Sequence, residues 1–360
     1  MTDLYHHIYD SEVFQDTQCI WRENTTLDFF RSLFISSGYK STGGSNKVWQ
    51  RGDQTVVACL ADDIATCKVS HDLRPVAQMF DSNTLVITDN KINSPTQYQV
   101  MQLPPSYFGI YNYIPKNLQW APERRFNFSV NRIDYKRLAL FLELMLRTNI
   151  PNSRNIDFER DFVNFNCWSW DSSNDSPAVL QQNFTKVMGF ISDELRSVYQ
   201  KTYEELLPRM PYRNHNKTME QVHLHAWLNI VVETYSGDTV IALSEKLFRA
   251  LVTPVPWAVY GGKYTVAYLR QLGFDVLDDL IQHRYDYELE NNTGTFGDKM
   301  VDFVREAHDA VESFKQMPWD KLSQRCQSAA AHNQKLLANM QSNWPDDFAR
   351  WLPGLVSSIK

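Results

Sequence analysis

A chain of 360 residues with 43% hydrophobic and 22% charged residues holds enough apolar material for about two globular domains and too much for a disordered chain. Its net charge of -6 offers no global attraction to nucleic acid or acidic lipid, so such a partner would need a local basic patch. The 5 cysteines, at 19, 59, 67, 167 and 326, form no C-x-x-C pair, which leaves neither a disulfide framework nor a zinc knuckle and fits a reducing, cytoplasmic setting. The opening MTDLYHHIYDSEVF has acids and histidines where a signal peptide needs a basic start and an apolar core. No apolar run approaches the ~20 residues of a membrane span, so no membrane anchor is expected.

In chain order, Gln18 to Trp21 reads as a short strand, and Leu27, Phe30, Leu33 and Phe34 recur at helical spacing. A Gly/Ser-rich turn over 37–46 precedes TVVACL (55–60), a compact apolar strand ending at Ala61-Asp62-Asp63. After a helix over 74–80, TLVIT (84–88) is a buried strand that stops at Asp89, and 97–103 is a further strand. The texture then changes to LPPSYFGIYNYIPKNLQWAPE, where prolines 104, 105, 115 and 122 break both helix and central strand; this stretch reads as a domain crossing. The expected division is 1–122 and 123–343, with 344–360 as a terminal helix.

The second part opens on a strand at 126–130, then Asn131-Arg132 and a helix over 134–147 with Leu138, Phe141, Leu142 and Met145 on one stripe. Asp134 sits where an acid complements the helix dipole. A short strand is expected at 155–158, irregular chain over 162–177, helices over 179–207 and a basic loop over 209–217. An apolar run at 228–232 ends in Glu233, and Ser244-Glu245-Lys246 opens a helix. Trp257 to Tyr260 then meets Gly261-Gly262 and a helix pattern in Val266, Leu269 and Leu272. Strand, helix, strand, helix in this rhythm makes a parallel sheet whose carboxyl-edge loops are where α/β proteins bind ligands. Helical segments over 296–314, 319–340 and 348–356 complete the chain.

Three places carry chemistry. A helix start presents unpaired amides, so Ser244 with Lys246 in the first turn either holds a phosphate or is a plain capped helix with a solvent-facing lysine. Arg132, past a strand, has the fork suited to bidentate phosphate contact, or it pairs with Asp134 or Glu143 on the surface. Glu233 either accepts hydrogen bonds from ribose or sugar hydroxyls or is a loop carboxylate. Gly261 and Gly262 permit close backbone approach without a G-x-G-x-x-G fingerprint, and a Walker motif is absent. His223-x-His225 and His6-His7 lack the acid or cysteine that would complete a metal set and read as core or surface histidines.

ETYSGDTVIALSEKLFRALVTPVPWAVYGG resembles the nucleotide-sugar half of glycosyltransferases with two Rossmann-like domains (the GT-B architecture), above all the fucosyltransferase-like pattern with a [ST]EK triplet. NFSVNRIDYKRLALFLELM and VAYLRQLGFDVLDDLIQHRYD are similar to bacteriophage and giant-virus proteins labelled glycosyltransferases. The likeness spans about 124–286. It implies an α/β fold of two Rossmann-like domains with a helical end that crosses back onto the first. It further implies a UDP- or GDP-sugar donor with Arg132 and Lys246 on its diphosphate, Ser244 and Glu245 at the phosphate and ribose end and Glu233 near the sugar. No tightly bound metal or cofactor is implied. An inverting reaction would need a carboxylate base, for which Asp62 or Asp63, with Asp89 in reserve, is placed by the strand reading; the other reading of each is a cap or turn residue. The acceptor is either a hydroxymethylated pyrimidine in phage DNA, met through Arg124, Arg125, Arg209, Arg213 and Lys217, or a saccharide or lipid-linked glycan met by the aromatic stretches. A transferase fold that only binds is the remaining alternative.

Overall fold

The computed structural model describes residues 31–41, 48–59, 82–88, 91–92, 98–103, 118–130, 134–148, 162–167, 177–191, 193–206, 223–233, 240–286 and 296–359. The fold is mixed α/β with a helical C-terminal end. Two compact units divide the chain: Met1–Ile114, Gly237–Glu245 and Lys335–Lys360 form the first, Pro115–Ser236 and Lys246–Gln334 the second. Among the described residues no helix is long and apolar enough to cross a membrane.

The first unit holds β1 (Lys40–Ser41), β2 (Val48–Arg51), β3 (Gln54–Cys59), β4 (Thr84–Thr88), β5 (Lys91–Ile92) and β6 (Gln99–Gln102). Strands β1, β2 and β3 pair antiparallel, whereas β3, β4 and β6 run parallel, in the spatial order β1-β2-β3-β4-β6. Gly52 takes the positive φ, 61°, that the tight Gly52-Asp53 hairpin requires. TLVIT lies between two neighbours and is buried at every position, which is why it carries no polar alternation. Phe34, Trp49, Val56, Leu85, Ile87 and Leu103 form the core, and Leu355 joins them from the end of the chain. The rings of Phe34 and Trp49 lie 4.7 Å apart.

In the second unit β7 (Arg124–Val130), β8 (Phe162–Cys167), β9 (Ala226–Val232) and β11 (Trp257–Tyr260) form a parallel sheet in the order β11-β9-β7-β8. The intervening β10 (Val240–Ile241) belongs to the first unit, where it pairs antiparallel with β5. Helix α1 (Tyr135–Thr148), followed in the chain by α2 (Pro177–Phe190) and α3 (Asp193–Leu206), buries the expected stripe, with Leu138, Phe141, Leu142 and Met145 at 0% exposure. Its start is capped as an acid there should cap it, Asp134 Oδ1 accepting the Arg137 amide at 2.9 Å. Asn127 Nδ2 donates to Asn229 Oδ1 at 2.9 Å across β7 and β9, two buried polar groups that match only in this register. Trp120 donates from its indole to Ala226 O at 2.7 Å and packs against Trp319 and Trp227.

Two expectations are corrected. The stretch read as irregular from 162 begins with strand β8, an edge strand pairing with β7; its alternating Phe and Asn give no apolar run to read. The segments 319–340 and 348–356 are one helix, Trp319–Ile359, which continues through Pro345 and Pro353. A proline in a helix interior costs about 3 kcal/mol. Buried anchors on both sides of the first proline, Leu337 and Leu355, offset that cost. The expected strands at 18–21 and 155–158, helix at 74–80 and loop at 209–217 lie outside the described residues.

Candidate functional site

The chain enters the parallel sheet at β7, goes to β8 on one side, and returns to β9 and β11 on the other. The reversal of direction falls between β7 and β9, and beyond the carboxyl ends of such strands is the usual ligand position in open α/β sheets. Glu233 follows β9 directly. It is 2% exposed, and its amide donates to Tyr260 O at 3.0 Å, tying it to the end of β11.

Opposite it lies Gly261. A Cβ there would stand 3.0 Å from Thr265 Oγ1 and 3.4 Å from Glu233 Cγ, so the glycine is what lets those two side chains close on the strand end. The Thr265 hydroxyl donates to Gly262 O at 2.6 Å, and Lys299 Nζ, on a side chain 8% exposed, donates to Gly261 O at 2.8 Å. Helix α5 (Thr265–Gln271) starts at Tyr264, a non-glycine residue at φ 65°. Asp286 fills that start: its Oδ2 accepts the Ala267 amide at 3.0 Å, and the Val266 amide also binds the carboxylate. Burial pushes the Asp286 carboxyl above its usual range; the amides, Lys299 and Arg270 pull the other way. An internal carboxylate therefore occupies the place where the Gly261-Gly262 junction would present amides to a phosphate.

Ser244 and Lys246 flank the start of α4 (Glu245–Leu251) and are 6% and 5% exposed. Lys246 is thus not a solvent-facing lysine; burying an ammonium costs several kcal/mol unless the protein engages it, and it is engaged. The division between units falls between Glu245 and Lys246. Asp62, Asp63, Asp89, Arg132 and the side chain of Glu245 lie outside the described residues. His223 is a core histidine, 4% exposed, whose burial, helped by the Arg249 charge, lowers its pKa to about 3. Among the described residues no group of 3 or more His, Cys, Asp or Glu side chains is gathered as a metal would need.

Sequence reasoning missed Lys299 and Asp286. Lys299 stands four positions before Phe303 on the apolar stripe of α6 (Phe296–Gln316), and a lysine on a buried stripe was the available signal. Asp286 gives no such signal. Nor did the sealing of β11 by side chains: Tyr285 accepts the Val259 amide at 3.3 Å and donates to His283 Nδ1 at 2.8 Å, while His283 Nε2 donates to Val276 O at 2.8 Å. That chain of donors fixes a neutral imidazole, and burial holds the His283 pKa down at about 4.

Comparison with protein-family models, with curated proteins and with solved structures gave no match for this chain.

Proposed function

We propose that the chain is a glycosyltransferase with two Rossmann-like domains that moves a sugar from a UDP- or GDP-sugar to an acceptor hydroxyl, with the donor at the carboxyl edge of the second unit. The observation that carries this reading is the parallel sheet order β11-β9-β7-β8, whose reversal between β7 and β9 is the kind of switch point at which open α/β sheets bind their ligands. Arg132, two residues past β7, supplies the charge for the diphosphate. Lys246 and Glu233 are buried, so each meets the donor only as part of the wall, as a positioning residue. The acceptor oxygen attacks the anomeric carbon, the bond to the diphosphate breaks with its electron pair on the leaving group, and the acceptor proton passes to a carboxylate. Asp62, Asp63 and Asp89 are the candidates for that base. A cationic side chain stabilises the departing diphosphate electrostatically.

The acceptor in this reading is a hydroxymethylated pyrimidine of DNA, with a saccharide as the alternative. A second reading, a transferase-like fold that binds without turnover, is favoured by the Asp286 carboxylate filling the α5 amides.

Thermal unfolding of the full chain with a panel of nucleotide sugars tests the proposal. A donor at ~100 times its dissociation constant stabilises the fold by about 2.7 kcal/mol. Arg132→Ala should abolish the shift, and release of nucleotide should appear only with the matching acceptor. Absence of any shift from every nucleotide, with the chain folded, would refute it; binding without release would favour the second reading. Retention on duplex DNA that weakens with salt supports the DNA acceptor, and no retention at low salt excludes it.

A further inference from the structure

We propose that the tryptophan corner at the amino edge of the parallel sheet, built by Trp227 and Trp319, is a docking platform for an uncharged saccharide. The two rings lie 5.9 Å apart at 88°. Trp120 backs both, 6.1 Å from Trp227 and 4.9 Å from Trp319. It is 5% exposed and is pinned through its indole N–H to Ala226 O, at the first residue of β9. The start of α7 (Trp319–Ile359) is fixed in turn, with the Lys321 and Leu322 amides both on Pro318 O, so the corner is held in place before any ligand arrives.

Exposure singles out this corner. Among the described residues, Ile35, Val100, Val198 and Trp319 are the exposed large hydrophobic side chains, and Trp319, at 39%, is the only aromatic one. Its open surface amounts to about 100 Å², well short of the few hundred Å² of an apolar patch that docks a protein. A ligand the size of a few sugar rings fits that area.

Charge narrows the choice further. The register of β7 on β9 sets Arg125 alongside Trp227, and Arg125 pairs with Glu312, itself 3.3 Å from Lys315. Glu123 lies 3.7 Å from His225, which stands two residues before Trp227. Two carboxylates against two cations leave no net field to draw a phosphate, a nucleic acid or a cation. An uncharged ring with an apolar C–H face and several hydroxyls suits the place: the face stacks on indole, and the hydroxyls reach Glu123 and His225, 65% and 38% exposed at their side chains. The corner lies about 20 Å along the seven-residue strands from the carboxyl ends proposed for the donor. It is independent of the glycosyltransferase reading, since no residue named for the donor belongs to it.

Calorimetric titration and tryptophan fluorescence of the full chain with cellohexaose, maltohexaose, laminarihexaose and chitohexaose provide the test. At least one should bind and shift the emission. Trp319→Ala should weaken that binding at least about tenfold, and Trp319→Tyr, which keeps a ring, should retain most of it. Trp319 is exposed at a helix start, so its variants should keep the unfolding midpoint and any shift that nucleotide sugars give, which separates this test from that of the donor site. Glu123→Ala, at an exposed carboxylate, is the second variant and should weaken binding by about threefold or more. No binding by any of these oligosaccharides, binding unchanged in Trp319→Ala, or binding of tetramethylammonium in place of a saccharide would overturn the assignment.

Discussion

Replacing Gly261 by alanine isolates what holds the end of β11. Gly261 is not among the glycines with positive φ, so alanine meets no conformational penalty and should gain about 0.4–1 kcal/mol by restricting the unfolded chain. Against this, the new methyl group would stand 3.0 Å from Thr265 Oγ1. Thr265 is 1% exposed, its β-branched side chain is stiff, and its hydroxyl is held by Gly262 O at 2.6 Å. It must therefore stay and be compressed, or rotate and lose a hydrogen bond worth about 1 kcal/mol. Overpacking of this kind costs about 1–3 kcal/mol, so the net loss for Gly261→Ala should be about 1–2 kcal/mol. Thr265→Ala alone should cost about 1 kcal/mol for the lost hydrogen bond. In the double variant the clash is gone, and alanine at 261 should be neutral or slightly stabilising, with a coupling above about 0.5 kcal/mol. Urea unfolding of the four chains measures the cycle. If alanine at 261 costs as much without the threonine hydroxyl as with it, the close approach is not what selects glycine there.

Buried neutral histidines predict acid sensitivity: His223 and His283 have folded pKa values of about 3 and about 4 against an ordinary value near 6.5. A depressed folded pKa means the unfolded chain binds more protons, so this stability is full above pH 6.5 and is lost as pH falls toward the folded values. At about 1.4 kcal/mol per pH unit for each group below pH 6.5, the pair should contribute a loss of about 4 kcal/mol between pH 7 and 5 in denaturant titrations, partly offset by the raised Asp286 and Glu306. His283→Asn, which tolerates φ 55°, should halve the slope; an unchanged slope would refute the assignment to buried imidazole. Asn229→Leu should cost about 1–3 kcal/mol in urea by removing the acceptor of Asn127, and adding Asn127→Leu should recover much of it; a further loss in the double variant would contradict the pairing.

Elements whose evidence is local were legible in the sequence, and elements whose evidence lies elsewhere in the chain were not. TLVIT, WAVY and the Leu138–Met145 stripe announce themselves because burial on both faces, or along one, is written into adjacent residues. Strand β8 was lost because FVNFNC becomes a strand through β7, and the long last helix was split because Pro345 breaks helices locally while Leu337 and Leu355 hold this one through packing. The same distinction governs the candidate site. Ser244-Glu245-Lys246 and Gly261-Gly262 look alike in sequence, each a loop opening a helix after a strand. The groups that decide their character come from far away: Lys299 reaches Gly261 from 38 residues on, and Asp286 fills the α5 amides from 19 residues on. A strand, glycine and helix start thus specify where an anion would be welcome, and a distant carboxylate decides whether the place is already taken. By that criterion the reversal past β7 and β9, whose strand ends are fixed by the Asn127–Asn229 register, is the stronger ligand position of the two.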